Sequence, residues 1–282
     1  MTTFALLVGL LAATPADART SVNDWSCRTG EAHPVPVVLV HGTSDNKEST
    51  WRELGPMLAS RGYCVFSLTY GVLPGASTGP DAVGGLTRIE DSSRELATFT
   101  GKVLRATGRP KADIVGYSQG TLLPTYYAKF LGGRTKINRY VSLAPLWNGT
   151  DVALAADLVG LLRLLGLDGL TRLLTNCAAC TQVLTGSPLL ERLRADGIRV
   201  PGIRYTNIVT THDRNIVPYT SGLLNGPDVT NVVLQDTCAA DESEHGSLVV
   251  DPNALGHVLN ALDPARARPV PCRPTGPDGL IR

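Results

Sequence analysis

Neither sign of charge is in excess in this sequence: among its 282 residues, 26 lysines and arginines face 25 aspartates and glutamates, a formal net charge of +1. Lysine is scarce, with five scattered residues. A chain with no basic stretch lacks the electrostatic footprint that nucleic-acid binding requires, so polyanions are poor candidate ligands. Long apolar runs are missing too. The run over residues 4–13 has ten residues, where a helix crossing a hydrocarbon core needs about 20. Tandem repeats and low-complexity tracts are absent, which removes solenoid and compositionally disordered architectures. What remains is a globular composition, 43% hydrophobic and 18% charged. A chain of this length buries roughly 75% of its unfolded surface, so it needs neither metal nor disulfides merely to fold. One large domain is expected.

The run FALLVGLLAA at residues 4–13 is followed by Ala16-Asp17-Ala18, an A-x-A pattern ahead of Arg19. It reads as a secretory signal over residues 1–18, although its only positive charge is the terminal amine. The competing reading is a buried N-terminal strand or helix. Six cysteines, Cys27, Cys64, Cys177, Cys180, Cys238 and Cys272, favour export, because an even count in an oxidising compartment usually means bridges. Their order suggests Cys27 with Cys64, Cys177 with Cys180, and Cys238 with Cys272. The C-x-x-C at Cys177 also fits a redox dithiol or half a zinc site. A second ligand pair at zinc spacing is missing, so a structural bridge is the better reading.

Beyond the leader, apolar and β-branched runs over residues 35–40, 63–69, 112–115, 140–143, 203–209 and 229–234 alternate with helical patterns such as 88–105 and 122–131. Continuous runs like VVLV belong to strands buried on both faces. Together they predict an α/β fold with a mostly parallel central sheet covered by helices, one domain over residues 19–282. Residues 264–282, rich in proline, predict an extended tail tied down by Cys272. Residues 152–174 hold ten leucines. Leu154, Leu158, Leu161, Leu162 and Leu165 share one helical face, and Gly166 and Gly169 bend the chain into two helices. Core packing explains any such face. Its position after a strand end, where parallel sheets bind ligands, predicts a lid-like insertion at about residues 150–185.

Gly116-Tyr117-Ser118-Gln119-Gly120 is G-x-S-x-G, with the strand ADIV before it and the helical TLLPTYYAKFL after it. The pentapeptide alone is weak; strand before and helix after make it a nucleophile elbow. Pro124 falls in the first helical turns, where a missing N–H costs little. A serine nucleophile needs a base, and the base an orienting carboxylate. Of five histidines, His33 precedes the first strand, His41 ends it, His257 lies in a helical pattern and His212 adjoins Asp213. His245, in the polar loop DESEHG, is the natural late-chain base. Asp213 follows the strand IRYTNIVT, so Ser118, Asp213 and His245 follow the chain order of an α/β-hydrolase triad. Singly, Asp213 reads as a turn residue and His245 as a solvated loop histidine; the ordered set argues for the triad. For the oxyanion, the backbone N–H groups of Thr43, after VVLVHG, and of Gln119 are the expected donors.

These residues sit among segments that resemble the secreted actinobacterial lipases of the class 2 lipase family: NDWSCR from Asn23, PVVLVHGT from Pro36, GYCVFSLTYG from Gly62, VGYSQG from Val115, YYAKFLGG from Tyr126, CAACTQ from Cys177, NVVLQDTC from Asn231 and NALDP from Asn260. The likeness runs from about Asn23 to Cys272. It implies an α/β-hydrolase fold, lipase or esterase activity on carboxylic esters, the same triad and oxyanion positions, and the disulfide pairing given above. Thr121 stands where similar sequences often have Gly, and His212 where they often have Tyr, two departures that bear on the pocket and so on the preferred substrate. The expected partner is a lipid or other acyl ester, met in transient contact with a lipid interface by an extracellular monomer. No organic cofactor or catalytic metal is expected, and scattered aspartates leave a structural Ca²⁺ open. An acyltransferase or polyesterase with the same triad, and an inactive exported lipid-binding protein, are the competing readings.

Overall fold

The computed structural model describes residues 21–151 and 176–282; the expected leader and the leucine-rich stretch 152–174 lie outside them. Short valine- and isoleucine-rich runs form the strands β1 (Val37–Val40), β2 (Val65–Leu68), β3 (Ala112–Tyr117), β4 (Ile137–Leu143), β5 (Arg204–Val209) and β6 (Val229–Val233). They make a six-stranded sheet in the order β2-β1-β3-β4-β5-β6, with every neighbouring pair parallel. β1, β2 and β3 are buried along their whole length. A parallel sheet covered on both faces leaves these strands no polar side, so they read as continuous apolar runs and not as alternating ones.

The covering helices are α1 (Lys47–Thr50), α2 (Leu54–Ser60), α3 (Ile89–Thr107), α4 (Leu122–Phe130), α5 (Ala178–Gln182), α6 (Pro188–Arg194), α7 (Leu234–Thr237) and α8 (Pro252–Leu262). α3 buries Ile89, Leu96 and Val103, seven residues apart on one face, and Gly108 ends it at φ +65°, a left-handed cap that a Cβ would strain. α2 has no clear signature in the sequence LGPMLAS. Burial of Leu54, Leu58 and Ala59 outweighs Gly55, and Pro56 falls in the first turn, where its N–H is not needed. Leu234 corrects the expected end of the last strand: it opens α7 instead.

From β1 the chain moves outward to β2, then returns past β1 to β3 and continues outward to β6. Right-handed connections in opposite directions place α2 and α3 on opposite faces. α3 packs with α4, while Met57 of α2 and Leu255 of α8 line a common groove on the other face. At the reversal the connections that follow the paired strands β1 and β3 leave toward opposite faces, the position at which open parallel sheets hold ligands. Disulfides join Cys27 to Cys64, Cys177 to Cys180, and Cys238 to Cys272. Among the described residues no helix is long and apolar enough to cross a membrane.

Candidate active site

β3 ends at Tyr117, and the chain passes at once through a 3-10 turn, Ser118–Thr121, into α4. Ser118 has φ +52°, the left-handed region that a side chain enters only at a cost. Crowding around this turn explains its two glycines. A Cβ on Gly116 would lie 2.7 Å from the carbonyl oxygen of Gly120, and one on Gly120 would lie 2.2 Å from that of His41. Both obstacles are backbone, which cannot step aside. The turn therefore closes tightly and leaves Ser118, half-buried, at the carboxyl end of β3 beside the loop that follows β1.

His245 stands in a 3-10 turn, His245–Ser247, beyond α7, and Asp213 stands in the loop after β5. The structure brings both to Ser118. His245 Nε2 is 3.0 Å from Ser118 Oγ, and His245 Nδ1 is 2.8 Å from Asp213 Oδ2. The other oxygen of the buried Asp213 carboxylate accepts the backbone N–H groups of Asn215 at 2.8 Å and Ile216 at 2.7 Å. A carboxylate held this way fixes the imidazole proton on Nδ1, so the lone pair of Nε2 faces the serine hydroxyl. Tyr117 adds a tie that sequence reasoning missed. Its hydroxyl donates to the carbonyl of His245 at 3.1 Å, and burial raises the phenol far above its ordinary range, so it stays a donor. Tyr117 fills a variable place of G-x-S-x-G and carries no local signal.

The loop after β1 passes close over the elbow: a Cβ on Gly42 would come within 3.4 Å of Ser118 Cβ. Thr43 follows, and its hydroxyl donates to Gln119 Oε1 at 2.5 Å. The two residues expected to present N–H groups to an oxyanion are thus linked through their side chains. His41 holds the base of this loop. Fully buried, it stacks on Tyr70 at 4.2 Å and accepts the Tyr70 N–H at Nε2, while Nδ1 lies 2.7 Å from the Gly42 carbonyl oxygen. Burial lowers its pKa to about 4, so the ring is neutral, with its proton on Nδ1. His33 stacks on Tyr63, His257 reaches Thr237, and His212 is exposed; it is His245 that accepts the Ser118 hydroxyl. Among the described residues no group of three His, Cys, Asp or Glu side chains could hold a metal ion.

A hydroxyl with a receiving lone pair at 3.0 Å, itself backed by a buried carboxylate, has the geometry of an activated nucleophile for a carbonyl carbon. Comparison with known proteins agrees in fold. Lipase B of Aspergillus fumigatus superimposes with a TM-score of 0.65 at 18% identity, over 87% of this chain and 56% of that one. Bacillus licheniformis lipase BlEst2 superimposes in its propeptide form with a TM-score of 0.58 at 16% identity, over 81% of this chain and 50% of that one. Its mature form gives 0.53 at 16% identity, over 78% and 88%. The chain thus spans about half the length of the first two. At these identities the likeness is one of fold, and it establishes the α/β-hydrolase fold. No curated protein sequence matches the chain significantly. The model of the family described as lipase (class 2) matches residues 34–255, a stretch that contains the elbow, Asp213 and His245; the chain belongs to the class 2 lipase family.

Proposed function

We propose that this protein is a secreted serine hydrolase that cleaves carboxylic esters of lipids through an acyl-enzyme intermediate. The observation that carries the reading is the hydrogen-bonded run Ser118–His245–Asp213 at a strained elbow. Ser118 Oγ attacks the acyl carbonyl carbon as its proton passes to His245 Nε2, and Asp213 stabilises the imidazolium. The backbone N–H groups of Thr43 and Gln119 receive the oxyanion. Collapse of the tetrahedral intermediate expels the alcohol, which takes the proton from Nε2. Water then attacks the acyl carbonyl and gives a proton to Nε2, and the acid departs as Ser118 regains that proton.

A fluorophosphonate should label one serine per molecule, Ser118. Ser118→Ala should lose ester turnover by roughly 10⁴-fold or more while melting near the parent temperature. Stoichiometric labelling elsewhere, or turnover retained by Ser118→Ala, overturns the reading. Release of free acid, with little transfer when an alcohol competes with water, distinguishes hydrolase from acyltransferase. Export is supported by the A-x-A pattern at Ala16-Asp17-Ala18 and by three disulfides. N-terminal sequencing of protein recovered from the culture medium of an expressing host should begin at Arg19; protein confined to the cell with Met1 intact contradicts export.

A further inference from the structure

The loop that carries His245 has little apolar substance of its own, yet Asp241 and Ser243 in it are fully buried. Polar side chains are costly there unless their groups are bonded. Their partners lie in the C-terminal hairpin, residues 274–282. Thr275, also fully buried, forms a parallel bridge with Asp241 and an antiparallel one with Ile281. The Glu242 N–H donates to the Thr275 carbonyl at 3.1 Å, and the Glu244 N–H to that of Pro277 at 3.3 Å. Asp241 Oδ1 accepts both the Ser243 N–H and the Thr275 hydroxyl at 2.9 Å, and Oδ2 accepts the Asn253 side-chain amide at 2.9 Å. The hydroxyls of Ser243 and Thr275 are 3.1 Å apart.

The same network reaches the loop that carries Asp213. The Thr210 hydroxyl, three residues ahead of that aspartate, donates to the Ser243 carbonyl at 2.8 Å. Gln235 Nε2 donates to Thr210 Oγ1 at 3.0 Å and to the Asp241 carbonyl at 2.9 Å, while its Oε1 accepts the Thr211 N–H at 2.9 Å. Two loops joined at the site by Asp213–His245 and at the surface by the Arg214–Glu244 ion pair at 3.3 Å thus also share a buried frame.

We propose that Asp241 and Thr275 are positioning residues, through which hairpin 274–282 holds the His245 loop so that the imidazole sits between Asp213 and Ser118. The proposal rests on the triad reading above. Neither residue touches the reacting atoms. Ser243, two residues ahead of His245, transmits any slack directly, and a misplacement of about 1 Å at the base costs on the order of 100-fold in rate. Valine at position 275 keeps the shape and removes the hydroxyl, leaving Asp241 Oδ1 and Ser243 Oγ each one partner short in a dry place. Serine keeps the hydroxyl.

The test is steady-state hydrolysis of a soluble p-nitrophenyl ester, with the rate of phosphonate labelling at Ser118 as a second readout. Thr275→Val should lower kcat about 10- to 100-fold with KM within about twofold, and labelling should slow by a similar factor. Thr275→Ser should restore both. A folded Thr275→Val with the parent kcat overturns the proposal, as does a loss that Thr275→Ser fails to repair. If Thr275→Val does not fold, Ser243→Ala, which removes only the hydroxyl facing Thr275, decides: a lower kcat at constant KM supports the proposal and an unchanged kcat overturns it. Ser118→Ala separates the two levels. Turnover retained there sinks the triad reading and this proposal together, whereas turnover lost there but normal in the positioning variants sinks this proposal alone.

Discussion

His41 illustrates how one buried ring couples the loop over the elbow to pH. Burial lowers its pKa from the ordinary 6.5 to about 4. Above pH 6.5 the ring is neutral in folded and unfolded chains alike, and its contribution to stability is complete. As pH falls from 6.5 to 4, the unfolded chain takes up a proton that the fold refuses, and about 3 kcal/mol is lost. Asp251 acts in the opposite sense. Burial, with Asp241 adding to it, raises its carboxyl to about 7, so its contribution is complete below 3.8 and is lost as pH rises through 7. The two offset each other in mild acid, so the parent's melting profile alone does not separate them. Thermal melts of His41→Gln should show a smaller drop between pH 6.5 and 4 than the parent. Parallel profiles for the two proteins would mean that His41 is not the group refusing the proton.

At the scale of elements, the disulfides differ mainly in what they enclose. Cys238–Cys272 spans 34 residues of sequence, a stretch that includes the His245 turn and α8. Cys177–Cys180 spans three. By chain entropy the longer loop contributes about 4 kcal/mol and the shorter about 2, native strain aside. α8 is anchored locally as well, by the Asp251 side chain, which accepts the N–H groups of Asn253 and Ala254 at its start, a cap worth roughly 1 kcal/mol. Replacing Cys238 and Cys272 together by serine should therefore lower the melting temperature more than replacing Cys177 and Cys180. Ester turnover in the first variant should also fall at temperatures where its far-ultraviolet circular dichroism is still native. Equal melting losses in the two double variants would contradict the loop-length argument.

For the whole molecule, β2 and β6, the edge strands among the described residues, are the exposure that matters, since unpaired strand groups invite pairing with another chain. At β2 the protein answers with a single side chain. The Asn23 amide group accepts the Ser67 N–H at 2.9 Å and donates to the Ser67 carbonyl at 3.0 Å, while its backbone N–H donates to the Val65 carbonyl at 2.9 Å. It stands where a neighbouring strand's peptide would. Cys27–Cys64 and the packing of Trp25 on Phe66 and Phe99 keep the segment in place. On the far side, Asn231 of β6 ties its side chain to Leu224 and Asn207. Asn23→Ala should destabilise the fold by roughly 1 to 2 kcal/mol and raise its tendency to associate. Light scattering at rising concentration checks this; a variant as monodisperse as the parent would show that Asn23 does not guard the edge.

The strands and the elbow were legible because their causes are local. A strand buried on both faces must be apolar at each position, and a serine at a backbone-crowded turn requires glycine two residues to either side. The chain order Ser118, Asp213, His245 named the members of the hydrogen-bonded run, since parallel strands deliver their carboxyl ends to one side of the sheet. Other features had no local cause to read. α2 forms over Gly55 and Pro56 because its buried face outweighs propensity, and Leu234 leaves its apolar run for a helix. Tyr117, Thr275, Gln235 and Asn23 act through hydrogen bonds to residues distant in the chain or to backbone groups that any residue could offer. Such partners are chosen by which loops the sheet brings together, and that is decided only when the tertiary structure closes.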